Sequence, residues 1–131
     1  MVRNLIIPLL LILVFSSCQN SMENNNADTF ILSGELKRGG GIDLYFQELT
    51  TNELIPVDVI ATDSTGSFNY TNQLHDPSFF LLRIDDLNYL TLLIEPGEQI
   101  FISGDAGNLL LDHQVKGSSG TALLSKLNKQ L

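Results

Sequence analysis

From Thr29 onward the chain alternates short apolar runs with groups of turn-forming residues, a pattern that predicts an all-β domain. In IDLYFQEL (42–49), Ile42, Leu44 and Phe46 are spaced by two, which places their side chains on one face of a sheet. The other segments with strand character are TFILSGELK (29–37), LIPVDVIATD (54–63), the stretch after Gly66, FFLLRI (79–84), LTLLIE (90–95), QIFISGD (99–105) and LLLDHQV (109–115). We therefore expect a β-sandwich or a curled barrel of about eight short antiparallel strands.

Three groups of turn residues predict how these strands are joined. TDSTGSFNY (62–70) is the clearest hairpin, because its Asp, Ser and Gly supply turn chemistry and Phe68 and Tyr70 then share one strand face. DDLN (85–88) predicts a second hairpin, and Pro96-Gly97 occupies the central positions of a type II turn.

Two residues inside predicted strands are unusual for a strand interior. Gly34 predicts a β-bulge, since glycine tolerates the backbone conformation that a bulge requires. Pro56 predicts an edge strand or a strand start, because proline has no N–H to donate to a neighbouring strand.

The last segment changes from a period of two to a helical period. Leu123, Leu127 and Leu131 in TALLSKLNKQL fall at i, i+4 and i+8, which predicts a narrow apolar stripe on a helix. The candidate N-caps are Ser118, Ser119 and Thr121. So short a helix is rarely stable alone. We therefore expect either that it docks on the sheets or that the chain ends before the helix reaches its partner, and we favour the second.

Length and charge limit the classes of function. The chain has 131 residues, enough for one domain, and carries 7 Lys+Arg against 15 Asp+Glu. Arg3 is the only charged residue before Cys18, so the part from Cys18 onward has a net charge of −9. Such an acidic surface repels phosphate backbones, which argues against nucleic-acid binding. The single cysteine excludes an internal disulfide, a CxxC pair and a thiolate zinc site.

The N-terminus predicts export and lipid attachment. After Arg3, the apolar run from Leu5 to Phe15 is shorter than the roughly 20 residues that a membrane-spanning helix needs, but it suits a signal peptide. Phe15-Ser16-Ser17-Cys18 resembles the lipobox of bacterial lipoproteins, which implies cleavage between Ser17 and Cys18 and acylation of Cys18. Phe15 departs from the usual Leu or Val. The alternatives are a secreted protein with an incidental cysteine and an uncleaved anchor.

These features divide the chain into four parts. Residues 1–17 are the predicted lipoprotein signal peptide, and residues 18–28 are a polar tether without apolar periodicity. Residues 29–118 are the β-sandwich domain, and residues 119–131 begin a C-terminal helix or linker. Gln19, rather than Asp, follows the cysteine, which by resemblance to enterobacterial sorting favours the outer membrane.

The order of segments also resembles a known family. SGEL, TDSTGSF, LLIEPGEQIFISGD and VKGSSGTALLSKLN resemble a domain of unknown function near the N-terminus of lipoproteins from Bacteroidota. In many of those proteins the domain precedes a thioredoxin-like domain of the peroxiredoxin or thiol–disulfide oxidoreductase kind, so a thioredoxin-like domain or protein is the implied partner. The CxxC of those longer relatives has no counterpart here, and no catalytic residue or cofactor is carried over. Either the chain is a complete non-catalytic protein, or it is a piece of a longer oxidoreductase.

Candidate metal sites are weak. His75 and His113 are 38 residues apart without a cysteine, and neighbouring Asp76 and Asp112 point to the opposite strand face, so both histidines are expected at the surface. Residues 63–66 resemble the opening of a calcium loop whose remaining ligands are missing, and a side-chain-stabilised turn explains them better. Asp85-Asp86 is interpreted as a solvated hairpin tip. No metal site is predicted.

A hydrolase is equally unsupported by the sequence. Ser119, Asp112 and His113 lie within eight residues of one another, whereas a catalytic triad needs separated elements that converge in space. The G-x-S-x-G elbow is also absent, because Thr121 stands where the second glycine is required.

Four aromatic residues give an alternative function. Tyr45, Tyr70, Tyr89 and Phe79 are candidates for a ligand-binding face, although packing in the core is the commoner use. The sequence thus predicts a non-catalytic, lipid-anchored envelope module that positions or binds a partner. The alternative is a free-standing periplasmic or surface lipoprotein that binds a glycan or peptide.

Overall fold

The alternating segments form eight strands and one helix in a computed structural model that describes residues 26–130. In chain order these are β1 Thr29–Lys37, β2 Asp43–Leu49, β3 Leu54–Ala61, β4 Ser67–Gln73, β5 Ser78–Asp85, β6 Asn88–Ile94, β7 Gln99–Asp105, β8 His113–Lys116 and α1 Ser119–Gln130. A 3-10 helix over Asn26–Asp28 precedes β1. The predicted signal peptide, Cys18 and most of the tether lie outside the described residues.

The strands form two four-stranded sheets that face each other across one core. Sheet I has the order β4-β1-β7-β8, and sheet II has the order β3-β2-β5-β6. The two sheets are not closed into a barrel, so the sandwich-like arrangement is confirmed and the barrel alternative is wrong. Both sheets contribute fully buried side chains to the core, among them Phe30, Leu32 and Ile102 from sheet I and Phe46, Leu82 and Leu92 from sheet II.

One pair of strands corrects the expectation that all strands are antiparallel. β1 and β7 are parallel, with Ile31 opposite Gln99 and Lys37 opposite Asp105. A parallel pair cannot be joined by a tight turn, and here the chain passes through five other strands before it returns to β1. The apolar pattern of a strand does not encode its direction relative to a neighbour, so this parallel pairing could not be predicted from the pattern.

The turn around Asp63 was predicted correctly, but the hairpin was not. The Asp63 carboxylate accepts the N–H groups of Thr65 and Ser67, each at 2.9 Å, and the Thr65 hydroxyl at 2.7 Å. Gly66 follows with a φ of 84°. The flanking strands nevertheless belong to different sheets, because β3 pairs with β2 and β4 pairs with β1. The turn therefore carries the chain from sheet II to sheet I.

The two unusual strand residues have different outcomes. Pro56 lies in β3, which is an edge strand of sheet II as predicted. Gly34 forms no bulge, since it keeps regular register with Phe68 and Ile102. A Cβ at position 34 would clash with the carbonyl oxygen of Ile102. Glycine at this position therefore allows the backbones of β1 and β7 to approach each other closely. The irregularity between β2 and β3 occurs at Phe46/Gln47.

Two other turns form as predicted, and the last strand is shorter than expected. The segment around DDLN joins β5 to β6 as an antiparallel hairpin, and Gly97 has the φ of 85° that a type II turn requires. β8 begins only at His113, because the residues before it form a turn. Leu109 in that turn is fully buried, and its N–H donates to the Asn88 side-chain oxygen at 2.7 Å. Leu109 thus fills the core without belonging to a strand, whereas Leu111 of the same apolar run is exposed.

Candidate functional site

The helix begins by bonding to the free edge of sheet II. Among the three candidate caps, Ser118 is the one used, since its Oγ accepts the N–H of Thr121 at 3.3 Å. The Thr121 hydroxyl accepts the N–H of Leu93 at 3.0 Å and donates to the Leu93 carbonyl at 2.9 Å. Leu93 lies on β6, the edge strand of sheet II, whose backbone groups would otherwise lack a strand partner.

The second half of the helix bonds to the edge of sheet I. The Nδ1 atom of His113 on β8 lies 2.7 Å from the Leu109 carbonyl, and Nε2 lies 2.8 Å from Ser125 Oγ. Because a carbonyl only accepts, Nδ1 carries the proton and the Ser125 hydroxyl donates to Nε2. Lys129 Nζ donates to the His113 carbonyl at 2.9 Å. Helix α1 therefore spans β6 and β8, the edges of the two sheets, and closes one side of the sandwich.

The placement of His113 corrects the expectation of a surface histidine. Its exposed fraction is 3%, and both ring nitrogens are bonded. Burial and the nearby Lys129 charge lower the pKa of His113, whereas the hydrogen bond to Leu109 and the charge of Asp112 act in the opposite direction. His75, in contrast, is exposed as expected, with Nδ1 3.4 Å from the Asp28 carboxylate.

The bonded serine and histidine do not form a catalytic triad. The position that a triad carboxylate would take on Nδ1 is occupied by the Leu109 carbonyl. Ser119, the serine considered from the sequence, is exposed at the start of the helix, and the partner of His113 is Ser125. Ser125 could have been singled out from the sequence, because Thr121 and Ser125 are four residues apart and form a polar stripe beside the leucines.

Acidification is expected to weaken the fold through His113. The unfolded histidine binds a proton near pH 6.5, whereas burial lowers the pKa of folded His113, so protons favour the unfolded state below that pH. The free energy of unfolding should fall by up to about 1.4 kcal/mol between pH 7.5 and pH 5.5. Urea denaturation at the two pH values measures this change.

The control for this prediction is His113→Gln. Asp63 and Asp105 also have lowered pKa values, but carboxylates titrate near pH 4, below the measured window. The variant should therefore lose much less stability on acidification than the wild type does. Equal losses in the two proteins would contradict the assignment to His113.

The leucine stripe does not make the contact with the sheets. The buried residues of the helix are Thr121 and Ser125, whereas Leu123 and Leu127 have exposed fractions of 60% and 49%. The preferred expectation, a helix that does not dock, is thus wrong for residues 119–130. The expectation of an unpartnered stripe holds for Leu123 and Leu127, and Leu131 lies outside the described residues.

Three of the four candidate aromatic residues share one surface. Tyr45, Phe79 and Tyr89 alternate along their strands with the buried core residues Leu44, Phe80 and Leu90, so they lie on the side of sheet II that faces away from sheet I. We call this surface the outer face of sheet II. Its central positions are Leu54, Pro56 and Val59 on β3, Tyr45, Gln47 and Leu49 on β2, Phe79, Leu81 and Arg83 on β5, and Tyr89, Thr91 and Leu93 on β6, and the pair Asp43 and Ala61 lies at its margin.

This outer face is mostly apolar in an otherwise acidic chain. Its central positions carry no Asp or Glu, Asp43 lies at its margin at the start of β2, and Arg83 pairs with Asp86 at 3.0 Å. Tyr70, the fourth candidate, belongs to the core side instead, with its ring 5.3 Å from that of Phe46. Exposed apolar area of this kind marks surfaces that bind other molecules.

The remaining acidic candidates have structural roles. Asp85 accepts the N–H of Leu87 at 2.9 Å, and Asp86 pairs with Arg83, so both belong to the hairpin tip. Within residues 26–130 no three His, Cys, Asp or Glu side chains are grouped as a metal site would require. In the same range no helix has the length and apolar character needed to cross a bilayer.

Comparisons of the chain with protein-family models, with curated proteins and with solved structures found no match. The described residues belong to a broad structural class: a mostly β fold of two facing sheets, here with one helix held by hydrogen bonds on the sheet edges and two exposed apolar surfaces. Any statement about what binds to these surfaces depends on their own chemistry.

Proposed function

We propose that this protein is a non-catalytic, lipid-anchored module of the bacterial cell envelope that binds a partner protein. The anchor is Cys18, acylated after removal of residues 1–17, and the polar residues that follow serve as a tether. The outer membrane is the proposed location. The lipobox-like sequence supports this part of the proposal, and the structure of residues 26–130 supports the part concerning the partner.

The observation that carries the proposal is the orientation of helix α1. Thr121 and Ser125 hold the helix on both sheet edges by hydrogen bonds, and the exposed Leu123 and Leu127 take no part in this docking. Leu123 and Leu127 lie one turn apart on the exposed side. An amphipathic helix held rigidly with its apolar side outward is a preformed surface for a partner, because little conformational entropy is lost on binding.

The proposed partner is a thioredoxin-like domain or protein. This choice comes from the resemblance of the chain to the domain that precedes thioredoxin-like domains in Bacteroidota lipoproteins. The module would then supply the anchor and the contact surface, while the partner would supply the CxxC that this sequence does not contain.

Site-specific photo-crosslinking in the native host tests the partner contact. A photoreactive residue at Leu123 should give a discrete higher-mass adduct that mass spectrometry identifies as one envelope protein. The matched control is Leu111, which is also a leucine with an exposed fraction of 60% but precedes β8 instead of lying on α1. The absence of an adduct at Leu123, or the same adducts at both positions, would contradict the proposal.

The outer face of sheet II favours a second candidate function, the binding of a glycan or peptide. Tyr45 and Phe79 are exposed there, and aromatic side chains stack on apolar faces of ligands. A photoreactive residue at Phe79 distinguishes the two functions. If Phe79 gives adducts with glycan or peptide while Leu123 gives none, the protein is a ligand-binding lipoprotein.

A further inference from the structure

The groove between β8 and the second half of α1 gathers positive charge in an acidic protein. Its volume is about 390 Å³, and its lining includes Lys116, Lys126 and Lys129. These are three of the six Lys and Arg residues that follow Cys18, and none of the acidic residues in the described range 26–130 lines the groove. Within residues 26–130, the three lysines form no ion pair with an acidic side chain.

The contrast with a second cavity shows that this charge separation is local. The cavity beside Lys37 has the same volume of about 390 Å³, but Glu35 and Asp112 line it together with the lysine. A lysine in an acidic chain ordinarily has carboxylates near it, as Lys37 does. The groove at α1 differs, because the charged side chains that line it are lysines without a carboxylate among them.

One of the three lysines is already ordered. Lys129 Nζ donates to the His113 carbonyl, which fixes the side chain at the rim of the groove. A preordered cation loses less conformational entropy when it binds an anion. Ser125 and His113 also line the groove, and the Ser125 hydroxyl bonds to the His113 ring.

The helix dipole explains only part of this arrangement. The carboxyl end of a helix carries partial negative charge, which attracts Lys129 in the last turn and disfavours an anion at that end. Lys116, however, comes from β8 and not from the last turn of the helix, so the dipole does not explain its presence in the groove. Lysines from two different elements can each make an ion–ion contact with a phosphate dianion, since lysine binds phosphate as a point charge.

We propose that the groove between β8 and α1 binds a phosphate or phosphate monoester, held by Lys116, Lys126 and Lys129. The site is separate from Leu123 and Leu127 and does not depend on the proposed partner function. Phosphate in this form can come from a soluble ester or from a lipid headgroup at the membrane to which the protein is anchored. The chemistry of recognition is the same for both sources.

The test uses the full chain in nonionic detergent micelles and follows backbone amide shifts by NMR. Titration with inorganic phosphate, at constant ionic strength, should shift the amides of Gln114, Ser125 and Lys126 in a saturable way. Lys116→Gln and Lys126→Gln should each weaken the affinity about fivefold, the loss of one ion–ion contact in a water-rich site. Glycerol phosphate and vesicles containing phosphatidic acid then distinguish a soluble ester from a headgroup.

The control is Lys37→Gln, which removes a lysine from the cavity lined by acids and should leave phosphate affinity unchanged. Thermal unfolding of each variant separates binding from helix stabilisation. Lysine variants that lower the melting temperature of the chain but keep full phosphate affinity would show that the lysines serve the helix alone. That result, or the absence of saturable shifts in the wild type, would overturn the proposal.

Discussion

Replacing Phe46 by alanine is expected to lower the free energy of unfolding by about 3–5 kcal/mol, the range for a large side chain removed from a packed core. Phe46 is fully buried on β2, a central strand of sheet II. Its ring stacks on Phe80 with centroids 4.8 Å apart and meets the edge of Tyr70 at 5.3 Å. Phe30 from sheet I lies 6.1 Å away, so this ring joins the two sheets.

The loss should be this large because alanine would leave a cavity where rings from both sheets now meet. Backbone hydrogen bonds on either side of β2 hold the strand in place and prevent it from closing the space. Since small domains are stable by only about 5–15 kcal/mol, a large part of the population would unfold on mild heating. Urea denaturation monitored by circular dichroism measures the change.

Phe79→Ala is the matched control for Phe46→Ala. Phe79 has the same side chain and lies in the same sheet, but on the outer face, where 42% of it is exposed. We expect its loss to cost about 1–2 kcal/mol, clearly less than the loss of Phe46, because part of the side chain is already in water and its removal leaves no enclosed cavity. Similar losses for the two variants would show that the apolar core does not lie between the two sheets.

Replacing Cys18 by serine is expected to abolish lipid attachment and to move the protein out of the membrane fraction. A serine hydroxyl cannot form the thioether that links acyl chains to a lipobox cysteine in the family that this sequence resembles. Each buried CH₂ of an acyl chain contributes about 0.8 kcal/mol, so several chains attach a protein durably and their loss releases it. Labelling with radioactive fatty acid and fractionation of a Gram-negative expression host measure both effects.

Ser16→Ala is the control for Cys18→Ser, since it keeps a small residue before the cysteine and should remain labelled and membrane-bound. If the wild type incorporated no fatty acid, or if Cys18→Ser incorporated as much as the wild type, the proposal of lipid attachment at Cys18 would be wrong. The crosslinking at Leu123 would still be informative, because it tests the contact made by helix α1 and not the attachment at Cys18.

Local features of the sequence predicted the elements of this fold well. The alternation of Leu44 and Phe46 with polar neighbours predicted which face of β2 is buried, because side chains alternate across any strand. Pro96-Gly97 predicted its turn, since the conformation is set by the two residues themselves. The change to a helical period likewise predicted α1.

The candidate site was much less accessible from the sequence. His113 was expected at the surface, because neither its own side chain nor its neighbours reveal that a helix covers β8. The face that docks α1 was also misjudged, since hydrogen bonds from Thr121 and Ser125 to strand edges outweigh the apolar stripe. The lysine groove needs both β8 and α1 in place, so no local pattern predicts it.

By itself, therefore, the sequence determined the all-β character, the number of strands, most turns and the C-terminal helix, all of which depend on residues close together in the chain. Only the tertiary structure decided that β1 pairs in parallel with β7, that the Asp63 turn changes sheets, and that α1 closes one side of the sandwich. The physical reason is that these choices depend on contacts between residues far apart in the chain. Leu123, the outer face of sheet II and the lysine groove acquire their exposure and charge from such contacts.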